Sequence, residues 1–177
     1  ALFRCREADI PTIRLKGVEA DDIAAYIVEN KYELDINTIW LISSDRDWDL
    51  LIEEDVSRFS TVTRSEMTME TWDYPCSTED YISYKTLVGD KGDDIPGVDG
   101  VGPVKASQLI EKYGSIFDII ASMPIPGTAK YIANLNASAD QMLLSYELMD
   151  LRSFNEVAIG DQLESLKEQL GEIYGKV

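Results

Sequence analysis

The stretch GDKGDDIPGVDGVGPVKASQLIEKYG, residues 89–114, decides how the chain is read. Its second part is a tight Gly-rich turn running into a helix. Pro103 falls in the first turn of that helix, where its missing N–H costs nothing, and Gly114 ends it. With Ala106 and Leu109 packed behind, the turn presents free backbone N–H groups at a helix N-terminus, a ready site for a phosphate, and Lys105 adds a second contact. Carbonyls in such a turn can also hold a monovalent cation. An ordinary helix–turn–helix, with glycines serving turn geometry, accounts for the same residues. The first part, GDKGDD, places Asp90 and Asp93 three apart at the end of a helix. Acids there oppose the helix dipole by about 0.3–1 kcal/mol each at exposed sites. Lys91 as a local counter-charge is the simplest relief.

Two further acidic stretches precede it. SSDRDWD (43–49) follows TIWLIS (38–43), a continuous apolar run that predicts a strand buried on both faces, as in a parallel sheet. Asp45 and Asp47 then lie at the C-terminal end of a strand, where open α/β sheets place their sites, and both can aim at one point. Alternatively Asp47 is a helix N-cap and Asp45 a turn residue. The 1-3-5 spacing of Asp45, Asp47 and Asp49 also suggests an EF-hand, but Leu50 stands where that loop needs Gly and Val56 where it needs Glu. GVEADD (17–22) sets Glu19 and Asp22 three apart on a predicted helix face, with Asp21 adjacent. Satisfying the helix dipole would explain Asp21 and Asp22 without any chemistry.

Composition narrows the chemistry. The chain of 177 residues has 45% hydrophobic and 28% charged residues, as an ordinary globular protein does. It carries no histidine, which removes Ser-His and Cys-His nucleophiles, HExxH zinc sites and histidine bases. Cys5 and Cys76 have no metal-type spacing, so any metal would be a hard ion held by carboxylates. No apolar run is long enough for a transmembrane helix and the first ten residues lack a signal peptide's core, so the expectation is a cytoplasmic protein with no membrane partner. Net charge is −17, against the basic patch usual in nucleic-acid binders, but carboxylates loaded with divalent ions invert their local sign.

The remaining pattern predicts an α/β front and a helical back. PTIRL (11–15) reads as a strand, 20–30 as a helix, DWDLLIEE as a short helix and SRFSTVT (57–63) as a strand, a βαβ order with a short front. From 77 the pattern is helical. Ser77 or Thr78 with an acid three on suggests a capping box for a helix over 77–89. PIPG (124–127) interrupts the helices that follow.

Taken jointly, the acidic pairs in GVEADD, SDRDWDLL and GDKGDDIPGVDGVGPVKA, in this order, resemble the 5′-nuclease superfamily. More closely, from about Ile10 to the early 150s, the chain resembles the C-terminal part of bacteriophage-type flap endonucleases (5′–3′ exonucleases). The resemblance implies an incomplete parallel sheet flanked by helices (5′-nuclease or PIN-like), followed by a helix–three-turn–helix region. It implies residues 1–76 as the C-terminal part of the nuclease core and 77–177 as a helical DNA-binding region, with the helix–three-turn–helix at about 82–114. By motif match, two or more divalent metals (Mg²⁺ or Mn²⁺) are implied. Glu19, Asp21 and Asp22 would lie at the first site, Asp45 and Asp47 would complete or bridge it, and Asp90 and Asp93 would serve the second. Gly97, Val98, Gly100, Val101, Gly102, Val104, Lys105 and Ser107 would grip a DNA duplex backbone, often with a K⁺. The reaction implied is phosphodiester hydrolysis near a DNA 5′ end, 5′ flap or branched duplex, in the host cytoplasm if phage-encoded.

The family also has an earlier strand with a metal-binding Asp and a basic helical arch, which this sequence does not contain, and Asp94 stands where Asn is common. Three readings follow. The chain is the C-terminal portion of a 5′ nuclease, its other half supplied by a separate chain or absent. Or it is a catalytically weak, structure-specific DNA-binding module that still binds metal. Or it is an acidic interaction protein without a nuclease role. An exposed sheet edge is expected where the front strand is missing, with a tendency to dimerise or capture a partner. Replacing Asp45 and Asp90 by Asn is expected to lower metal affinity and raise metal-free stability by relieving repulsion.

Overall fold

The computed structural model describes Cys5, Ala8 and residues 10–175. These divide into two compact units. The first comprises the described residues up to Glu66 and from Leu151 onward; the second is Met67–Asp150.

The first unit is built around helix α1 (Ala20–Glu29), which buries Ala24, Ala25, Tyr26 and Val28. One side of α1 packs on a small sheet. Ala24, Ala25 and Val28 meet Leu41, Leu51 and Val56, with Ile39, Trp48 and Leu151 around them. The other side packs on the chain's last helices. Tyr26 joins Leu15, Ile159, Leu166 and Leu170. The sheet has the order β1 (Ile39–Ile42), β2 (Val56–Ser60), β3 (Ser65–Met67). β1 and β2 are parallel, in register from Ile39 opposite Val56 to Ile42 opposite Phe59. Parallel strands need a crossover of a dozen or more residues. Here residues 43–55 supply it, with a 3-10 turn over Asp47–Leu51.

That crossover is held by a buried ion pair. Asp49 and Arg58 are 1% and 6% exposed. Arg58 Nε donates to Asp49 Oδ1 and Arg58 Nη2 to Asp49 Oδ2 at 3.0 Å, a two-pronged pairing. Arg58 Nη1 also donates to the Ser43 carbonyl, at 3.1 Å. One guanidinium on β2 thereby fixes both the end of β1 and the middle of the crossover.

Helices α7 (Leu151–Ile159) and α8 (Leu163–Tyr174) belong to this unit and not to the helical region, a departure from the expected division at 76/77. The reason is both apolar and ionic. Ile159, Leu166 and Leu170 fill the second face of α1. Arg152 pairs with Glu29 and Glu53 and donates to the Leu50 carbonyl, while buried Lys31 pairs with Glu53.

Three expected strands differ. Residues 11–15 form no strand; Ile13 and Leu15 pack into the helical cluster, and the Lys16 backbone bonds the Gln162 side chain through both its N–H and its carbonyl. β-Branched residues cannot by themselves distinguish a strand from an extended segment with side-chain partners. β1 is not buried on both faces: Trp40 is 61% and Ile42 56% exposed, and no described strand lies on its outer edge. Among the described residues β1 is therefore an edge strand. β2 stops at Ser60, whose carbonyl accepts the Arg64 N–H and whose Oγ accepts the Thr63 N–H, turning the chain.

The second unit is helical: α2 (Tyr81–Val88), a two-stranded antiparallel hairpin of β4 (Gly89–Asp90) and β5 (Ile95–Pro96), then α3 (Pro103–Tyr113), α4 (Ile116–Ala121), α5 (Lys130–Asn136) and α6 (Ala139–Met149). α2 starts later than expected. Ser77 Oγ accepts the Asp80 N–H (3.1 Å) and donates to Asp80 Oδ2 (2.8 Å), but this closes a turn before the helix. α4 has a full capping box of Ser115 and Asp118. The Ile116 N–H at its start donates to Ser83 Oγ of α2, tying the two helices. Among the described residues no helix is long and apolar enough to cross a membrane.

Asp49→Ala should lower the stability of the chain by about 3–5 kcal/mol, because it leaves Arg58 buried without its carboxylate. The urea unfolding midpoint measures it. Replacing both residues by apolar side chains should cost clearly less.

Candidate functional site

The carboxylates of GVEADD stand at the start of α1. Glu19 is the N-cap residue with extended backbone, and its own side chain makes no cap hydrogen bond. Glu19, Asp21 and Asp22 each offer an oxygen, and these atoms lie within 4.8 Å of one another. The dipole explanation accounts for their position, and Asp21 Oδ1 accepts the Asp22 N–H at 3.2 Å while Asp22 takes a hydrogen bond from the Glu19 backbone, yet the three groups still offer oxygens close together. Burial, then Asp21, then Glu19 push the Asp22 carboxyl above its ordinary range, against the Glu19 backbone, which lowers it. Three hard anionic donors in mutual repulsion fit a hard divalent cation.

Asp45 and Asp47 do not belong to that group. They sit on the loop pinned by Arg58. The Asp45 N–H donates to Ser43 Oγ, and Asp45 Oδ1 accepts the Asp47 N–H, both at 3.1 Å. Asp47 is the first residue of the 3-10 turn, not its N-cap, which is Arg46. The third carboxylate of the motif, Asp49, is consumed by Arg58.

In the second unit, Asp90 ends β4. Its counter-charge is not Lys91. Lys85, in the last turn of α2, reaches Asp90 Oδ2 at 2.7 Å from a buried position. The Gly92 N–H also donates to Asp90 Oδ1, at 2.8 Å. Burial alone would raise the Asp90 carboxyl, but Lys85 and the backbone N–H groups of Gly92 and Asp93 outweigh it and hold it below its ordinary range. The sequence carried this signal in a lysine of the last helical turn, where cations are favoured. Asp94 adopts a left-handed φ of 56°, a conformation Asn and Asp tolerate better than most residues.

The turn from Gly97 to Ser107 divides into inside and outside. Val98 and Val101 are buried and can offer only backbone; the Val98 N–H donates to the Leu87 carbonyl. A side chain on Gly97 would sit 2.6 Å from Gly89 N, and one on Gly89 would sit 2.8 Å from the Ile95 carbonyl oxygen, so both glycines serve a close backbone approach. Gly100 has φ +82°, and its carbonyl accepts from Lys105 Nζ at 2.6 Å. Gly102 is the N-cap residue of α3 with nothing near its missing side chain, Val104 is 70% exposed, and Ser107 Oγ donates to the Pro103 carbonyl. The outward surface is therefore Gly100, Gly102, Val104, Lys105 and Ser107. Burial pushes the Cys76 thiol up to about 12, so it is no nucleophile near neutral pH.

Residues 76–171 match the family described as 5′–3′ exonuclease, C-terminal SAM fold. The chain belongs to this family. It is 39% identical to the flap endonuclease of Escherichia phage T5, over 97% of this chain and 61% of that protein. It is 29% identical to a 5′–3′ exonuclease of Aquifex aeolicus, over 94% of this chain and 59% of that protein. The chain thus spans about three-fifths of the length of these relatives. Among solved structures, phage T5 5′-exonuclease with bound zinc matches with a TM-score of 0.87 at 39% identity, covering 97% of this chain and 66% of that one. A pseudo-enzyme–product complex of the T5 flap endonuclease with DNA and metal ions matches with a TM-score of 0.87 at 38% identity, over 98% and 66%.

Asp22 and Asp90 should respond oppositely to neutralisation. With Asp22 held above its ordinary range, stability rises as pH falls through its titration, so Asp22→Asn should raise the metal-free Tm by roughly 1–3 °C at neutral pH and lose that gain in acid. With Asp90 held below its range, its contribution is present at neutral pH and lost as pH falls. Asp90→Asn should therefore cost about 2 kcal/mol, the opposite sign to the gain expected from relieving repulsion alone. Gly97→Ala should cost about 3 kcal/mol or more by overlap with Gly89. Thermal unfolding in chelator at neutral and acidic pH reads all three.

Proposed function

We propose that the chain is the metal-holding and DNA-gripping portion of a 5′ nuclease that hydrolyses phosphodiesters near DNA 5′ ends or flaps. The observation that carries this is the group of Glu19, Asp21 and Asp22 oxygens, drawn within 4.8 Å of one another at a helix start. Membership of the family adds Asp45, Asp47, Asp90 and Asp93 as further ligands for Mg²⁺ or Mn²⁺. Divalent ions held by such carboxylates supply Lewis-acid activation of water and neutralise charge at the phosphate. The chain's own residues set where that happens. Arg58 fixes the loop bearing Asp45 and Asp47. Lys85 orients Asp90. None of these 177 residues is a histidine, so the chain's own contribution is carboxylate, lysine and backbone.

DNA is held through the outer surface of the turn. The N-terminus of α3 offers backbone N–H groups to a phosphate, with Lys105 and Ser107 beside it. A K⁺ in this turn would have to share the Gly100 carbonyl with Lys105 Nζ. The donor set thus already contains one cation, and no step is assigned to K⁺.

Cleavage of a 5′-flap substrate with Mn²⁺ against EDTA, beside a gel shift of the same DNA in Ca²⁺, tests the reading. Metal-dependent cutting is the expected result. Binding without cutting would leave a structure-specific DNA-binding module, and failure to bind DNA at any salt concentration would overturn both. Gly102→Ala should fold normally, since its site has room, yet weaken flap binding several-fold by keeping the phosphate off the backbone. Equal binding by this variant would remove the α3 N-terminus from the interface.

A further inference from the structure

A cleft of about 340 Å³ opens in the second unit beside α3, closed on its other side by residues 125–132. Lys105, Gln108 and Lys112 face it from successive turns of α3, and Tyr113, Thr128 and Tyr131 complete its polar and aromatic lining. Leu109, Ile125 and Ile132, all buried, form its apolar part. Among the described residues no carboxylate lines it, although the chain carries 33 acids against 16 bases. Both lysines are poised over rings: Lys105 Nζ lies 4.2 Å from the Tyr131 centroid, and Lys112 Nζ 4.8 Å from that of Tyr113.

Two cations, two aromatic faces and an apolar base, in a strongly acidic chain, select an anion that carries a flat ring. The volume is at the lower end of small-molecule sites, about 300–1,000 Å³, and suits one nucleotide, not a duplex. Base–aromatic stacking beside a positive groove is the physical basis of single-strand binding. We propose that this cleft binds a single nucleoside monophosphate unit, its phosphate between Lys105 and Lys112 and its base against Tyr131 or Tyr113. The unit can come as a free nucleotide or as one unpaired nucleotide of a strand. The site goes beyond the backbone grip of the 97–107 turn and shares only Lys105 with it.

Heteronuclear NMR titration of the full chain tests it, with dTMP, inorganic phosphate, a short oligo(dT) and a blunt duplex as probes. Saturable shifts at Lys112, Thr128 and Tyr131 with dTMP, and much weaker ones with phosphate alone, are expected. Lys112→Glu should weaken dTMP binding tenfold or more, and Thr128→Glu should do the same from the opposite wall; both positions are exposed, so both variants should fold. Oligo(dT) binding tenfold tighter than dTMP would identify a strand as the source; equal affinities would identify the free nucleotide. No saturable shift with either, or affinities unchanged in both variants, would overturn the proposal. Retained duplex binding alongside that failure would leave the backbone grip standing. Nucleotide binding without duplex binding would sink the grip and leave the cleft.

Discussion

A buried guanidinium on a three-stranded sheet organises the first unit. Arg58 meets both oxygens of Asp49 and the carbonyl of Ser43, so one side chain closes the crossover between β1 and β2. A crossover through a 3-10 turn has few apolar contacts of its own; here Leu51 enters the core, Trp48 packs against it, Arg152 holds the Leu50 carbonyl, and the ion pair fixes Asp49. Such a pair adds little net stability over an apolar isostere. What it does supply is direction, since a planar two-pronged contact fixes the angle of the turn that follows. Asp45 and Asp47 inherit their positions from it.

The second unit solves a comparable problem mainly through backbone contact. The hairpin of β4 and β5 brings Gly89 and Gly97 so close that neither could carry a side chain, and this approach sets where the chain leaves toward α3. Val98 and Val101 then anchor the turn from within, while Gly100 lies close against Tyr131 and Gly102 keeps the start of α3 bare. Charge enters through Lys85, a buried cation whose carboxylate partner, Asp90, ends β4.

Much of this was legible in the sequence, because the local rules were consistent there. The Pro103 and Gly114 boundaries of α3, the helix behind GVEADD and the β1–crossover–β2 order all follow from short-range chemistry. The family resemblance and its acidic stretches were likewise readable from order and spacing. What was not readable depended on partners distant in the chain. Residues 11–15 have a strand's pattern but lead into a backbone bonded to Gln162. TIWLIS has the composition of a doubly buried strand, yet Trp40 and Ile42 face outward, and no described strand covers the outer edge of β1. The destination of α7 was hidden in Arg152, whose partners Glu29 and Glu53 lie on the other side of the whole Met67–Asp150 segment in the chain. Asp49 shares the 1-3-5 spacing of Asp45 and Asp47 but is half of an ion pair, and its partner Arg58 could be matched to it only in space.

The grouped carboxylates at the head of α1 carry one more consequence. Any cation taken up by the native state and not by the unfolded chain shifts the folding equilibrium by mass action, by RT ln(1 + [ion]/Kd). Because Glu19, Asp21 and Asp22 open the helix that both cores of the first unit share, that linkage acts on the most connected element of the unit. With a divalent ion held there as proposed, the order of α1 would be coupled to the free ion concentration around it. In a chelating medium, amide exchange would begin at the first turn of α1, and the ion would act as a ligand of folding before it acted on any substrate.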